Sequence, residues 1–136
     1  MCLPQTVWND DDSFCVKDGT ENVLVERVNA SGVGLTIGSI GGSHNRNITF
    51  RDCYVHKGVK GIYLKFRSGG GTVSDVLYEN IFMDEPSEAA IWIGPAQQSD
   101  SNQLCAPHPC SICWPQKKGA QCNPPESVYS NITLRK

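Results

Sequence analysis

Short runs of apolar residues spaced two apart recur along this chain, each opened by a polar residue and closed by a charge. Asn22-Val23-Leu24-Val25-Glu26-Arg27-Val28 has counterparts in Asn47-Ile48-Thr49-Phe50-Arg51-Asp52-Cys53 and in Asp75-Val76-Leu77-Tyr78-Glu79-Asn80-Ile81. A last copy is Asn131-Ile132-Thr133-Leu134-Arg135-Lys136. From Asn22 to Asn47 is 25 residues, from Asn47 to Asp75 is 28, and from Asp75 to Asn131 is 56, or two periods of 28. Alternation with period two predicts strands with one face buried. A repeat of this length with a short strand in each copy predicts a solenoid.

A second strand follows each first one at a steady offset: Leu35-Thr36-Ile37, Ile62-Tyr63-Leu64-Lys65-Phe66 and Ile91-Trp92-Ile93. The steps from Val23 to Leu35, Ile48 to Ile62 and Val76 to Ile91 are 12, 14 and 15 residues. Phe14-Cys15-Val16 fits as the matching strand of the first coil. With no sustained helical period and 13 Gly to turn the corners, the expected fold is all-β, a parallel β-helix with a partial set of coils. Equivalent strands then stack about 4.8 Å apart. The Asn heading each copy suits a turn, and stacked Asn can form a ladder. A sandwich also has short strands, but not this two-strand phasing.

Period two also sorts the second strands by face. Phe14, Val16, Leu35, Ile37, Ile62, Leu64, Phe66, Ile91 and Ile93 point into the coil. Tyr63, Lys65 and Arg67 share the outer face of one strand, and Trp92 lies outward on the next coil. Asp11 and Asp12 stand at the mouth of the first strand of this column, so Asp12, Val33 and Tyr63 are expected near one another on successive coils. Adjacent carboxylates repel, which favours one of them keeping its proton, and an acid beside a base is what glycosidic hydrolysis requires. The cations suit the carboxylates of anionic sugars and the aromatics suit their rings. The bland alternatives are an Asp-rich turn and a solvated sheet face with one exposed Trp.

Composition narrows the classes. A chain of 136 residues suffices for one domain and one core. Net charge is −2 with no basic stripe, which speaks against nucleic acid. No apolar run approaches a membrane span. Three sequons (Asn29-Ala30-Ser31, Asn47-Ile48-Thr49, Asn131-Ile132-Thr133) and seven cysteines suggest a secreted, extracellular protein. Met1-Cys2-Leu3-Pro4-Gln5-Thr6 is not a signal peptide, so the expectation is a chain cut from something longer. Cys105, Cys110, Cys113 and Cys122 fall in a Cys/Pro-rich excursion between coils, residues 99–127 of the single domain 1–136. Cys110-Ser111-Ile112-Cys113 has zinc-finger spacing, but disulfides are the better expectation outside the cell, and no metal or other cofactor is expected. Cys15 is expected outward and Cys53 at a strand end. His44, His56 and His108 read as loop residues.

Asp11-Asp12 followed by Lys17, then Asn22-Val23-Leu24-Val25-Glu26, then Gly32-Val33-Gly34-Leu35-Thr36-Ile37-Gly38-Ser39, then Gly61-Ile62-Tyr63-Leu64-Lys65, resembles the polygalacturonase family. These are pectin-cleaving, inverting glycoside hydrolases of family 28, and rhamnogalacturonan hydrolases belong with them. The resemblance covers about Asn9 to Lys136 and implies a right-handed parallel β-helix. It also implies that Asp11 donates the proton to the leaving oxygen and that Asp12 helps activate water. Four departures stand out. The family's third aspartate, in an Asn-Thr-Asp motif one coil earlier, falls before residue 1. Its Gly-His-Gly is Gly32-Val33-Gly34, its Arg-Ile-Lys is Tyr63-Leu64-Lys65, and its glycine before the aspartates is Asp10. Rhamnogalacturonan hydrolases also lack that histidine and arginine.

The expected function is inverting hydrolysis of a galacturonate-containing pectic polysaccharide. Asp11 and Asp12 would be catalytic, and Lys65, Tyr63, Arg67 and Trp92 substrate-binding, with Lys65 on a sugar carboxylate and Arg67 in place of the missing arginine. No nucleic acid or membrane partner is expected, and the complete protein is expected to be a monomer. A non-catalytic pectin-binding module or degenerate paralogue is the main alternative, motivated by Val33 and Tyr63. A Ca²⁺-dependent polysaccharide lyase is a third.

Overall fold

A computed structural model describes residues 4–67, 70–96 and 127–136 of the chain. Among these, only strands and turns occur. The strands are β1 (Gln5–Trp8), β2 (Phe14–Val16), β3 (Glu21–Glu26), β4 (Val28–Ser31), β5 (Leu35–Ile40), β6 (His44–His56), β7 (Ile62–Phe66), β8 (Thr72–Asp84), β9 (Ile91–Pro95) and β10 (Val128–Arg135). One sheet runs β1-β4-β6-β8-β10 with β3 also on β6, and the other runs β2-β5-β7-β9. Every pairing is parallel. The chain visits the two sheets in turn, once per circuit, which is a parallel β-helix.

The long strands turn corners at single residues. β6 and β8 each run 13 residues, bent where Asn47 (φ 54°) and Asp52 (φ 53°), and Asp75 (φ 54°) and Asn80 (φ 52°), take the left-handed conformation. Asn22, Arg27 and Asn131 do the same on neighbouring circuits. Asn and Asp tolerate this region because their short polar side chains bond locally. The expected ladder forms at these corners: Asn47 Nδ2 donates to Asn22 Oδ1 at 2.6 Å, Asn131 Nδ2 to Asp75 Oδ1 at 2.6 Å, and Asn80 Nδ2 to Asp52 Oδ1 at 2.9 Å. No Gly or Pro marks the second bend, so the segment beyond it (β1, β4 and the far ends of β6 and β8) escapes a search for turn residues.

Three sequence expectations change. The 56-residue step from Asp75 to Asn131 is one circuit, not two, because β10 pairs directly with β8 in the register Ile132↔Val76. The excursion, with its cysteines and His108, lies outside the described residues but for Ser127. Cys53 lies inside β6, 2% exposed in the core, rather than at a strand end. His44 and His56 are the terminal residues of β6 rather than loop residues.

The interior holds the inward faces of both sheets. Leu35, Ile37, Leu64, Ile48 and Phe50 are completely buried. Phe50 stacks on Tyr78 with centroids 4.8 Å apart and planes within 2°, and Tyr78 donates its hydroxyl to Leu35 O at 3.1 Å. The hydroxyl thus gets a partner where water cannot reach. Buried Asn45 donates to Lys17 O at 2.5 Å, tying the corner after β2 to β6. Ile91 and Ile93 keep inward parity but are 43% and 44% exposed, since β9 is the edge strand of its sheet.

Candidate active site

The turn between β1 and β2 rests on the turn between β4 and β5. Asn9 N donates to Ser31 O at 3.2 Å, Val33 N to Asp11 O at 2.8 Å and Ser13 N to Gly34 O at 3.1 Å. Inside the upper turn Asp11 N donates to Asn9 Oδ1 at 3.1 Å, Asp12 N to Asp11 Oδ1 at 2.8 Å and Asn9 Nδ2 to Asp12 O at 3.2 Å. The approach is close enough to demand glycine below. A Cβ on Gly32 would lie 2.6 Å from Asn9 Oδ1, Asp11 O and Ser13 Oγ.

This packing gives the two aspartates opposite surroundings. Asp11 is exposed. The Asp12 side chain is 8% exposed and meets Lys65 Nζ at 3.1 Å on Oδ1 and 3.0 Å on Oδ2. Thr36 Oγ1 donates to Oδ1 at 2.8 Å, and Cys15 Sγ lies 3.2 Å from Oδ2. Cys15 carries one S–H, and Gly38 O is nearer to it at 2.7 Å. Oδ2 is therefore the oxygen with acceptor capacity to spare. Burial, the largest influence, pushes the Cys15 thiol above its ordinary range; a hydrogen bond with Lys17 opposes this, and the charge of Asp12 adds to it.

Lys65 reaches Asp12 across 53 positions of sequence because the rung between them is flat. Gly38 lies there, and a Cβ on it would come within 2.8 Å of Lys65 Cγ. Any side chain would obstruct the path of the lysine. The pair is enclosed, with Lys65 10% exposed, so it gains from a low dielectric and is costly to break one-sidedly. Two of the three ammonium donors are used on Asp12.

Tyr63 pairs in register with Thr36 and with Trp92, so Cys15, Thr36, Tyr63 and Trp92 form one column up the outer face. Tyr63 is three residues past Val33's rung neighbour, which is Lys60: Val59 N donates to Gly32 O at 2.7 Å and Leu35 N to Gly61 O at 2.8 Å. The expected grouping of Asp12 with Val33 holds, and Tyr63 is displaced along the strand. Tyr63 is outward but only 2% exposed, covered by two lysines. Lys65 Nζ is 4.2 Å and Lys60 Nζ 4.8 Å from its ring centroid. Trp92 is half-buried. Arg67 is exposed one residue beyond β7, its backbone N–H bonded to Ile40 O at 2.8 Å.

Sequence reasoning missed Thr36, Gly38, Lys60 and Glu88. Parity put Thr36 outward above Cys15, which was a usable signal. Lys60 precedes its strand, and Glu88 comes from the turn before β9; Lys60 Nζ pairs with Glu88 Oε2 at 2.5 Å. No group of three or more His, Cys, Asp or Glu among the described residues could hold a metal.

The described residues thus form a parallel β-helix with an exposed and an enclosed aspartate on one turn and two buried lysines over one outer face. The profile described as Glycosyl hydrolases family 28 matches residues 3–113, and the chain belongs to that family. Among curated relatives, an endopolygalacturonase of Emericella nidulans is 35% identical over 91 residues, 64% of this chain and 24% of its own length. An exopolygalacturonase of Arabidopsis thaliana is 37% identical over 84 residues, 57% of this chain and 19% of its own. A probable rhamnogalacturonase B of Aspergillus terreus is 36% identical over 100 residues, 71% of this chain and 19% of its own. The chain thus spans a quarter or less of these relatives. No solved structure matches it. No helix of the described residues is long and apolar enough to cross a membrane.

Proposed function

We propose that this chain supplies the catalytic face of a secreted hydrolase that cleaves glycosidic bonds in a galacturonate-containing pectic polysaccharide with inversion. The observation that carries the reading is the contrast between exposed Asp11 and enclosed Asp12 on one turn of a family 28 β-helix. Asp11 gives its proton to the glycosidic oxygen as the bond to the anomeric carbon breaks. A water attacks that carbon from the opposite face and passes its proton to a carboxylate base. Asp12 Oδ2 accepts that water, acting with a group outside the described residues, while Lys65 and Thr36 fix the carboxylate's orientation. Trp92 and Arg67 contact the polymer beyond the reacting sugar.

The test is reducing-end release from homogalacturonan and from rhamnogalacturonan, with ultraviolet absorbance followed in parallel. New reducing ends without absorbance support hydrolysis, and the better polymer identifies the substrate. Unsaturated, absorbing products overturn it in favour of a lyase. A second reading is a pectin-binding protein without turnover. The nearly complete enclosure of Asp12 and Lys65 favours it, and tight polymer binding with no new ends establishes it.

A further inference from the structure

Lys65 is committed to Asp12, and Arg67 is exposed beyond the end of β7. A further cation over this face is Lys60. Its side chain is 4% exposed, its Nζ lies over the same Tyr63 ring as that of Lys65, and its carboxylate partner is Glu88. The two lysines differ in what holds them. Asp12 is 8% exposed and bonded by Thr36 as well, whereas the Glu88 side chain is 51% exposed. Glu88 stands on a turn anchored through its backbone, with its N–H on Val59 O at 3.0 Å. Its side chain can therefore rotate into water and be rehydrated without moving the turn. Asp12 has no such exit, because its carboxylate is itself enclosed and held by Thr36; the Lys60 ammonium, just as buried, needs another anion whenever Glu88 turns away.

From this contrast we propose that Lys60 is a seat for the carboxylate of a second galacturonate unit, occupied in the free protein by Glu88. The inference rests on the pectic substrate proposed above. Glu88 presents the same two-oxygen anion that a uronate does, so sugar and side chain compete for one ammonium. The position fits a neighbouring sugar of the same polymer. Asp12, Val33 and Lys60 stand on three successive rungs, so at roughly 4.8 Å per rung the backbones of Asp12 and Lys60 are about 10 Å apart. Trp92, on the rung after Tyr63, offers a ring beside it.

Competition makes a prediction that a purely structural ion pair does not. In the full-length protein, Glu88→Gln should tighten binding of galacturonate oligomers, read by calorimetry, by roughly two- to fivefold, the scale of one half-exposed charge pair. Methyl-esterified oligomers, which lack the anion, should bind Glu88→Gln and the unaltered protein alike. Lys60→Met should weaken acid oligomers selectively, and in the double variant Glu88→Gln should confer no gain. Unchanged or weaker acid-oligomer binding in Glu88→Gln overturns the seat, as does an equal change on acid and esterified oligomers. Failure to bind galacturonate oligomers at all also overturns it. Because binding is read without turnover, a protein that releases no reducing ends but keeps the charge-dependent effect sinks the hydrolase and leaves the seat. Turnover with charge-independent binding does the reverse.

Discussion

The corner ladder and the outer face of the β2-β5-β7-β9 sheet are built on the same rungs but follow opposite rules. At the corner every circuit repeats itself, with Asn22, Asn47, Asp75 and Asn131 in one conformation and amide hydrogen bonds joining Asn22 to Asn47 and Asp75 to Asn131. On the outer face each rung differs, with Cys15, Thr36, Tyr63 and Trp92 in one column. Repetition gives the backbone the same turn at every level, which is a requirement of the coil. Departure from repetition puts unlike groups within reach of one another, and there a carboxylate, a hydroxyl, a thiol and ammonium groups converge. In a solenoid, chemistry is to be sought where the repeat fails.

The largest effect should come from the face. Asp11→Asn keeps the shape and removes the acid, so turnover in the full-length protein should fall about 10²–10⁴-fold while oligomer binding survives. Unchanged turnover would remove Asp11 from catalysis. Next comes the enclosed pair. Lys65→Met strands the Asp12 carboxylate and should cost about 3–5 kcal/mol in denaturant unfolding. Pairing it with Asp12→Asn should recover most of that loss. A loss no smaller in the double variant would show that packing of the lysine stem, not charge, was responsible.

The ladder should respond less and by a different logic. Asn47→Ala loses an amide bond and keeps a Cβ at φ 54° without the polar side chain that offsets that conformation, a cost of about 1–2 kcal/mol. Asn47→Gly should cost less, because glycine accepts that conformation. Equal costs would mean the amide bond alone matters. Turnover should be unaffected by either.

The smallest effect separates the two free thiols among the described residues, Cys15 and Cys53, from ordinary ones. Burial, foremost, raises both Cys15 and Cys53 above the usual thiol range. The unfolded chain then ionises first as pH rises. Stability from this source is intact below the ordinary thiol range, declines above it, and is lost once the folded thiols themselves ionise. Alkylation at neutral pH should be slow at both positions, with partly exposed Cys15 modified before buried Cys53. Rapid labelling of Cys53 under native conditions would contradict its place in the core.

The sequence by itself determined the two strands that repeat in each coil, the inward residues of the second and the adjacency of Asp11 and Asp12, but not β1, β4 or the far ends of β6 and β8. Period two and the preference of Asn for a left-handed corner are properties of a few consecutive residues, and they survive any change elsewhere. It also brought Asp12 and Val33 onto neighbouring coils, because Phe14 and Leu35 are offset from them equally. Tertiary structure decided what each outward side chain touches. Lys65 meets Asp12 only because two circuits stack in one register and Gly38 leaves the rung between them bare. Lys60 meets Glu88 for the same reason, 28 positions apart. The 56-residue step looked like two circuits and is one, since an excursion of any length closes a coil provided its ends return to the rung. Loop closure costs little more as loops lengthen, so spacing along the chain does not encode which rungs are neighbours; hydrogen bonding between strands does.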